Sequence, residues 1–76
     1  MTLSPREFSK RLSQCLDDTG APAHARERAI ILSKLLDIPK HLAWSLLEGQ
    51  QLPDKELLQK IASEFEVEPQ WLSGEN

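Results

Sequence analysis

Proline and glycine cut this chain into short pieces, and that punctuation constrains the fold more than any other feature. Pro5, Gly20, Pro22, Pro39, Gly49, Pro53, Pro69 and Gly74 fall between the apolar stretches rather than inside them. Proline is tolerated in the first turn of a helix but not in its interior, and glycine favours the turn just past a helix end. The apolar residues between these breaks recur at helical spacing, and no run alternates at strand spacing. The expectation is an all-α chain of five short helices with short links.

The first helix opens with Ser4-Pro5-Arg6-Glu7, a capping box in which the Ser hydroxyl takes an orphan N–H and Glu7 reaches back. Phe8, Leu12, Cys15 and Leu16 follow as its inner face, and Gly20 stops it. Residues Gly20 to His24 form a loop. The second helix runs from about Ala25 to Leu36, with Ile31, Leu32, Leu35 and Leu36 inward. Asp37-Ile38-Pro39 is a break. The third helix spans about Pro39 to Glu48, and Gly49 ends it. Asp54 caps a fourth helix carrying Leu57, Leu58, Ile61, Ala62 and Phe65. Glu68-Pro69 starts a last turn with Trp71 and Leu72, closed by Ser73-Gly74.

Seventy-six residues make one domain, near the lower limit at which a single core holds a fold without staples. With 39% hydrophobic and 28% charged residues the chain is expected to be globular. One cysteine, Cys15, excludes an internal disulfide and a cysteine-cluster zinc site, and it is expected as a small core residue. His24 and His41 leave little for metal chemistry, so neither a metal nor a cofactor is expected. No apolar run approaches the roughly 18 residues of a membrane helix. Residues 1–7 show no signal-peptide core, so the expected address is the cytoplasm. Ser45 has no base and acid at hand, and neither paired carboxylates nor a phosphate loop stand out, so no enzyme is expected.

The net charge of −3 is unevenly spread. Residues 1–41 hold seven Lys/Arg against five acids, a balance of +2, and residues 42–76 hold two against seven, a balance of −5. Asp17 and Asp18 stand at the unfavourable end of the first helix's dipole, with no role apparent from sequence. The asymmetry is either chance in a short chain or a basic working face on an acidic body.

Two helices joined by a tight break with an apolar residue inside it form a helix-turn-helix pattern over about residues 26–48. Leu32, Leu35, Ile38, Ala43 and Leu46 are its inner positions. Ile38, Leu42, Ala43, Leu46 and Leu47 form the core stripe of the third helix, and Lys40, His41, Trp44, Ser45 and Glu48 form the opposite face. Donors at the start of such a helix suit the base edges of the DNA major groove. Arg26 and Arg28 at the start of the second helix are candidate phosphate clamps, or merely partners of nearby acids.

Leu32-Ser33-Lys34-Leu35-Leu36-Asp37-Ile38-Pro39-Lys40-His41 resembles the helix-turn-helix of phage repressor/Cro-type (XRE-like) DNA-binding domains. The resemblance continues through Leu47-Glu48-Gly49-Gln50-Gln51-Leu52-Pro53, through Leu57, Ile61-Ala62 and Phe65-Glu66-Val67, and through Trp71-Leu72-Ser73-Gly74. It implies a compact five-helix, lambda-repressor-like bundle, a single domain over 1–76. It also implies a regulator that binds double-stranded DNA sequence-specifically, usually as a homodimer on a palindromic operator. Carried over by position, Arg28 and the N-terminus of the second helix would hold phosphate, and the regulator reading adds Arg26 and Lys34. Lys40, His41, Trp44 and Ser45 would face the major groove, and Gln50 and Gln51 its edge or the backbone. Trp71 and Leu72 would join the dimer contact. The family commonly has Gln where this chain has Ala29, Gly where it has Asp37, and Ser or Thr where it has Pro39. The aromatic residue common in the core of the third helix is Leu46 here, while Trp44 points outward.

Three further sites carry alternatives. Lys40 and His41 contact DNA or are ordinary solvated residues at a helix start. Trp44 packs over a neighbouring helix, touches a thymine methyl or sugar, or anchors a protein partner. Trp71 and Leu72 seal the core or form a dimer contact. The competing function is a protein-interaction module on the same scaffold, with weak or lost DNA binding.

Overall fold

Helix caps set the element boundaries, and the computed structural model, which describes residues 4–74, shows them one by one. Ser4 Oγ accepts from the Glu7 amide at 3.2 Å and opens α1, Pro5–Asp18, with proline in the first turn. Glu7 does not complete the capping box; its carboxylate lies 3.7 Å from Lys10 Nζ, one helical turn on. His24 caps α2, Ala25–Leu36, its Nδ1 accepting from the Arg26 amide at 3.3 Å. Asp54 caps α4, Lys55–Phe65, through the Leu57 amide at 2.8 Å. Pro39 precedes α3, Lys40–Leu47, and Pro69 opens α5, Pro69–Ser73. The third helix is thus one residue shorter at each end than the sequence predicts, because Pro39 keeps an extended backbone and Glu48 is the C-cap.

The chain is all-helical and compact: the described residues form five helices and no strand. The Cα radius of gyration is 11.0 Å, against about 11.4 Å expected for a folded chain of this length. Phe8, Leu12 and Leu16 of α1 meet Leu32 and Leu36 of α2, Leu46 of α3, Ile61 of α4 and Leu72 of α5 in one core. Leu35 corrects the sequence reading: it is 40% exposed, not inward. With 3.6 residues per turn, the buried arc of α2 runs from Arg28 through Leu32 and Leu36 to Ala29 and Ser33. Leu35 falls outside that arc, on the flank away from Ser33. Cys15 is a core residue; burial, and then the charge of Asp18, push its thiol above the ordinary range and keep it protonated at neutral pH.

Two tight turns hold α3 in place. Asp37 ends α2 in the left-handed region, φ 56°, and sends the chain straight into α3. Aspartate tolerates that conformation better than most side chains. Gly49, φ 72°, ends α3 against α1: a Cβ there would stand 3.1 Å from Arg6 Cα and 3.3 Å from Ser9 Oγ. Gly20 also has positive φ, 80°, but open space around it. Gly20→Ala is therefore expected to cost about 1 kcal/mol, from backbone strain alone. Gly49→Ala is expected to cost about 2–3 kcal/mol, because crowding against backbone adds to that strain. Urea denaturation of the two variants measures the difference, and equal losses would show that the α1–α3 approach yields freely. A further long-range tie runs from α4, where Lys60 Nζ donates to the Leu36 carbonyl at 2.6 Å and closes the C-terminus of α2.

Candidate nucleic-acid interface

The side chains at i, i+3 and i+4 of α2 and at i, i+1, i+4 and i+5 of α3 share one cleft. Arg26, Ala29 and Ile30 come from α2, and Lys40, His41, Trp44 and Ser45 from α3. The cleft is about 540 Å³ in volume. Its lining sorts by chemistry. Ala29, Ile30 and Trp44 supply the apolar part, while Arg26, Lys40 and His41 bring nitrogen donors from both helices. None of the lining residues is acidic. Trp44 is 38% exposed, which is high for so large an apolar side chain.

The start of α3 adds to this field. The first turns of α1, α2 and α4 carry a side-chain cap and an acid: Ser4 with Glu7, His24 with Glu27, and Asp54 with Glu56. The first turn of α3 carries neither, and Pro39 makes no side-chain cap bond. The Pro39 carbonyl takes the amides of Leu42 and Ala43, both at 3.1 Å. The amides of Lys40 and His41 meet no acceptor among the described residues. The positive end of the helix dipole is therefore open, with a lysine beside it.

Five of the predicted DNA-facing residues thus converge: Arg26, Lys40, His41, Trp44 and Ser45. Lys34, Gln50 and Gln51 lie outside the cleft lining, Lys34 in the last turn of α2 and the glutamines just beyond α3. Ala29, marked in the sequence only as a departure from the family, is nearly buried and lines the cleft. Ile30 escaped the sequence reading, although it stands four residues after Arg26 and so shares its face.

Arg28 is a correction. The sequence offers it as a phosphate clamp or as the partner of a nearby acid; the structure corrects the first and keeps the second, turning it inward onto Asp17. Its Nε donates to the Pro22 carbonyl at 2.5 Å, Nη1 donates to the Ser13 carbonyl at 3.3 Å, and Nη2 pairs with the Asp17 carboxylate. Only 10% of its side chain is exposed, against 64% for Asp17. The reason is local: the end of α1 and the loop after it present carbonyls to the guanidinium, whose planar fork matches several acceptors at once. Arg28 fastens the end of α1, the loop and α2 together, and Asp17 acquires a role as its ion-pair partner.

Of the two readings of Leu72, a core seal or a dimer contact, the structure keeps the first and corrects the second. Leu72 is fully buried in the core, so no dimer contact reaches it. Trp71 is half-buried, with the Arg11 guanidinium carbon 5.2 Å from its ring centroid and Arg11 Nη1 donating to its carbonyl. That cation–π and hydrogen-bond pair ties α5 to α1.

A larger cleft of about 660 Å³ lies between the α3–α4 linker, α4 and α5. Leu52, Pro53, Leu58 and Pro69 line it together with Lys55 and Glu68, so its charge is mixed. No helix among the described residues is long and apolar enough to cross a membrane.

No protein-family model matches the chain, and no curated protein or solved structure matches it either.

Proposed function

We propose that this chain is a sequence-specific double-stranded DNA-binding regulator of the repressor/Cro type, built on a lambda-repressor-like helix-turn-helix. In this reading α2 and α3 are the two helices of the motif and α3 is the recognition helix. The carrying observation is the cleft in which donors from both helices converge without an acid among the lining residues. A phosphate-lined partner suits that lining, and the open N-terminus of α3 favours the same sign of charge. Arg26 and Lys40 take phosphates, and His41 and Ser45 reach base edges. Lys34, Gln50 and Gln51 extend the interface at its margins. The net charge of −3 is compatible, because seven of the nine Lys/Arg fall in residues 1–41. The protein acts as a homodimer on a palindromic operator, its two α3 helices about 34 Å apart, one turn of DNA. The dimer contact runs along α5 beside Trp71, which is half-buried.

One observation favours the competing reading, a protein-interaction module: the exposed indole of Trp44, a side-chain type that often anchors partners. Selection from random duplex pools at two salt concentrations separates the readings. The regulator is expected to enrich a palindrome. Arg26 and Lys40 of a dimer together are expected to contribute a slope of about −4 in log affinity against log salt. Lys40→Ala is expected to weaken binding about 10-fold on all sequences. The same variant should make the slope shallower by about 1 for each phosphate it no longer neutralises. No enrichment and no binding at low salt would leave the protein-module reading standing.

A further inference from the structure

We infer that the α2–α3 cleft selects for thymine through its 5-methyl group, with Trp44 and Ile30 as the specificity-determining residues. This rests on the DNA-binding reading above and goes one step beyond it. The donors in the cleft account for phosphates and for polar base edges. They leave the apolar lining of Ala29, Ile30 and Trp44 without a role. A major groove displays one apolar group, the thymine methyl; the other features that distinguish base edges there are donors and acceptors. An indole 38% exposed and an isoleucine only partly covered offer such a methyl an apolar seat. Arg26 and Lys40 at the same cleft hold the strands on which it is carried. The core does not draw on Trp44 for its packing, since the buried side chains of α3 are Ala43 and Leu46.

The test uses the duplex that selection enriches and the same duplex with deoxyuridine in place of thymidine, which removes only the methyl groups. Burying one methyl is expected to be worth about four-fold in affinity, and a symmetric pair of half-sites about 15-fold. The parent protein should bind the deoxyuridine duplex weaker by about that factor. Trp44→Ala should bind both duplexes within about two-fold of each other, at the lower affinity. Trp44 is a surface residue, so this variant keeps the fold, and circular dichroism checks that it does. Ile30→Ala provides an independent second variant with the same expected loss of discrimination. Equal binding of both duplexes by the parent overturns this inference and leaves the regulator reading intact. An equal loss for parent and Trp44→Ala overturns it too, because the methyl then acts through the shape of the DNA. No duplex binding at all overturns the inference and the regulator reading together.

Discussion

Arg28→Ala is expected to destabilise the protein by about 2–4 kcal/mol, because the side chain makes charge-assisted hydrogen bonds to three acceptors and its stem is packed. A domain of this size has a stability on the order of 4–11 kcal/mol, so the loss is a large share of it. The thermal midpoint is expected to fall by roughly 10–20 °C. Arg28→Lys is expected to recover little, since an ammonium cannot meet Pro22, Ser13 and Asp17 with one planar fork. Asp17→Asn is expected to cost far less, because that carboxylate is mostly in water and screened. Thermal denaturation followed by circular dichroism ranks the three. The same variants separate a structural arginine from a phosphate clamp. At a temperature where Arg28→Ala is still folded, its DNA affinity is expected to match the parent's. A variant with an unchanged midpoint and no DNA binding would restore the phosphate clamp.

What could be read from the sequence was what depends on neighbours within one helical turn. Ser4-Pro5, Asp54 and Pro69 mark helix starts that the structure keeps. The inner faces of α1 and α4 follow from spacing alone. The convergence of Arg26 with Lys40, His41, Trp44 and Ser45 also followed, because a three-residue break leaves two helices few ways to pack. Pairings that bridge distant segments were out of reach. Arg28 meets a carbonyl fifteen residues back in α1, and Lys60 meets one twenty-four residues back in α2. Neither carbonyl contact leaves a mark in local spacing, so the sequence offers Arg28 at most an acidic partner and Lys60 none. Leu35 fails for another reason. Periodicity gives α2 an apolar arc wide enough to include it, but the buried arc of that helix is centred near Leu36 and ends at Arg28, just short of Leu35, which is left to solvent. The chemistry of the cleft was half legible: its donors stood out as charges, while Ala29 and Ile30 looked like ordinary helix residues.

Leu46→Ala is expected to cost about 3–4 kcal/mol, within the range for emptying a fully buried leucine site. Its consequence is wider than the cavity. The helix that carries Lys40, His41, Trp44 and Ser45 is eight residues long, too short to be stable alone in water. Packing therefore supplies its order, and Leu46 is the largest side chain that α3 buries completely. The variant is expected to unfold at lower urea with an unchanged m-value, and to lose DNA affinity only in proportion to its unfolded fraction. Duplex DNA provides the decisive addition. A ligand that binds only the folded state at about 100 times its Kd restores about 2.7 kcal/mol. The operator duplex should therefore raise the midpoint of Leu46→Ala by on the order of 10 °C. A duplex of unrelated sequence should do so less, and less again as salt rises. If the operator leaves that midpoint where it was while it raises the parent's, then α3 folds without Leu46 in a form that does not present the cleft. If it raises neither midpoint, the cleft is not a DNA site, and Trp44 becomes the place to look for a protein.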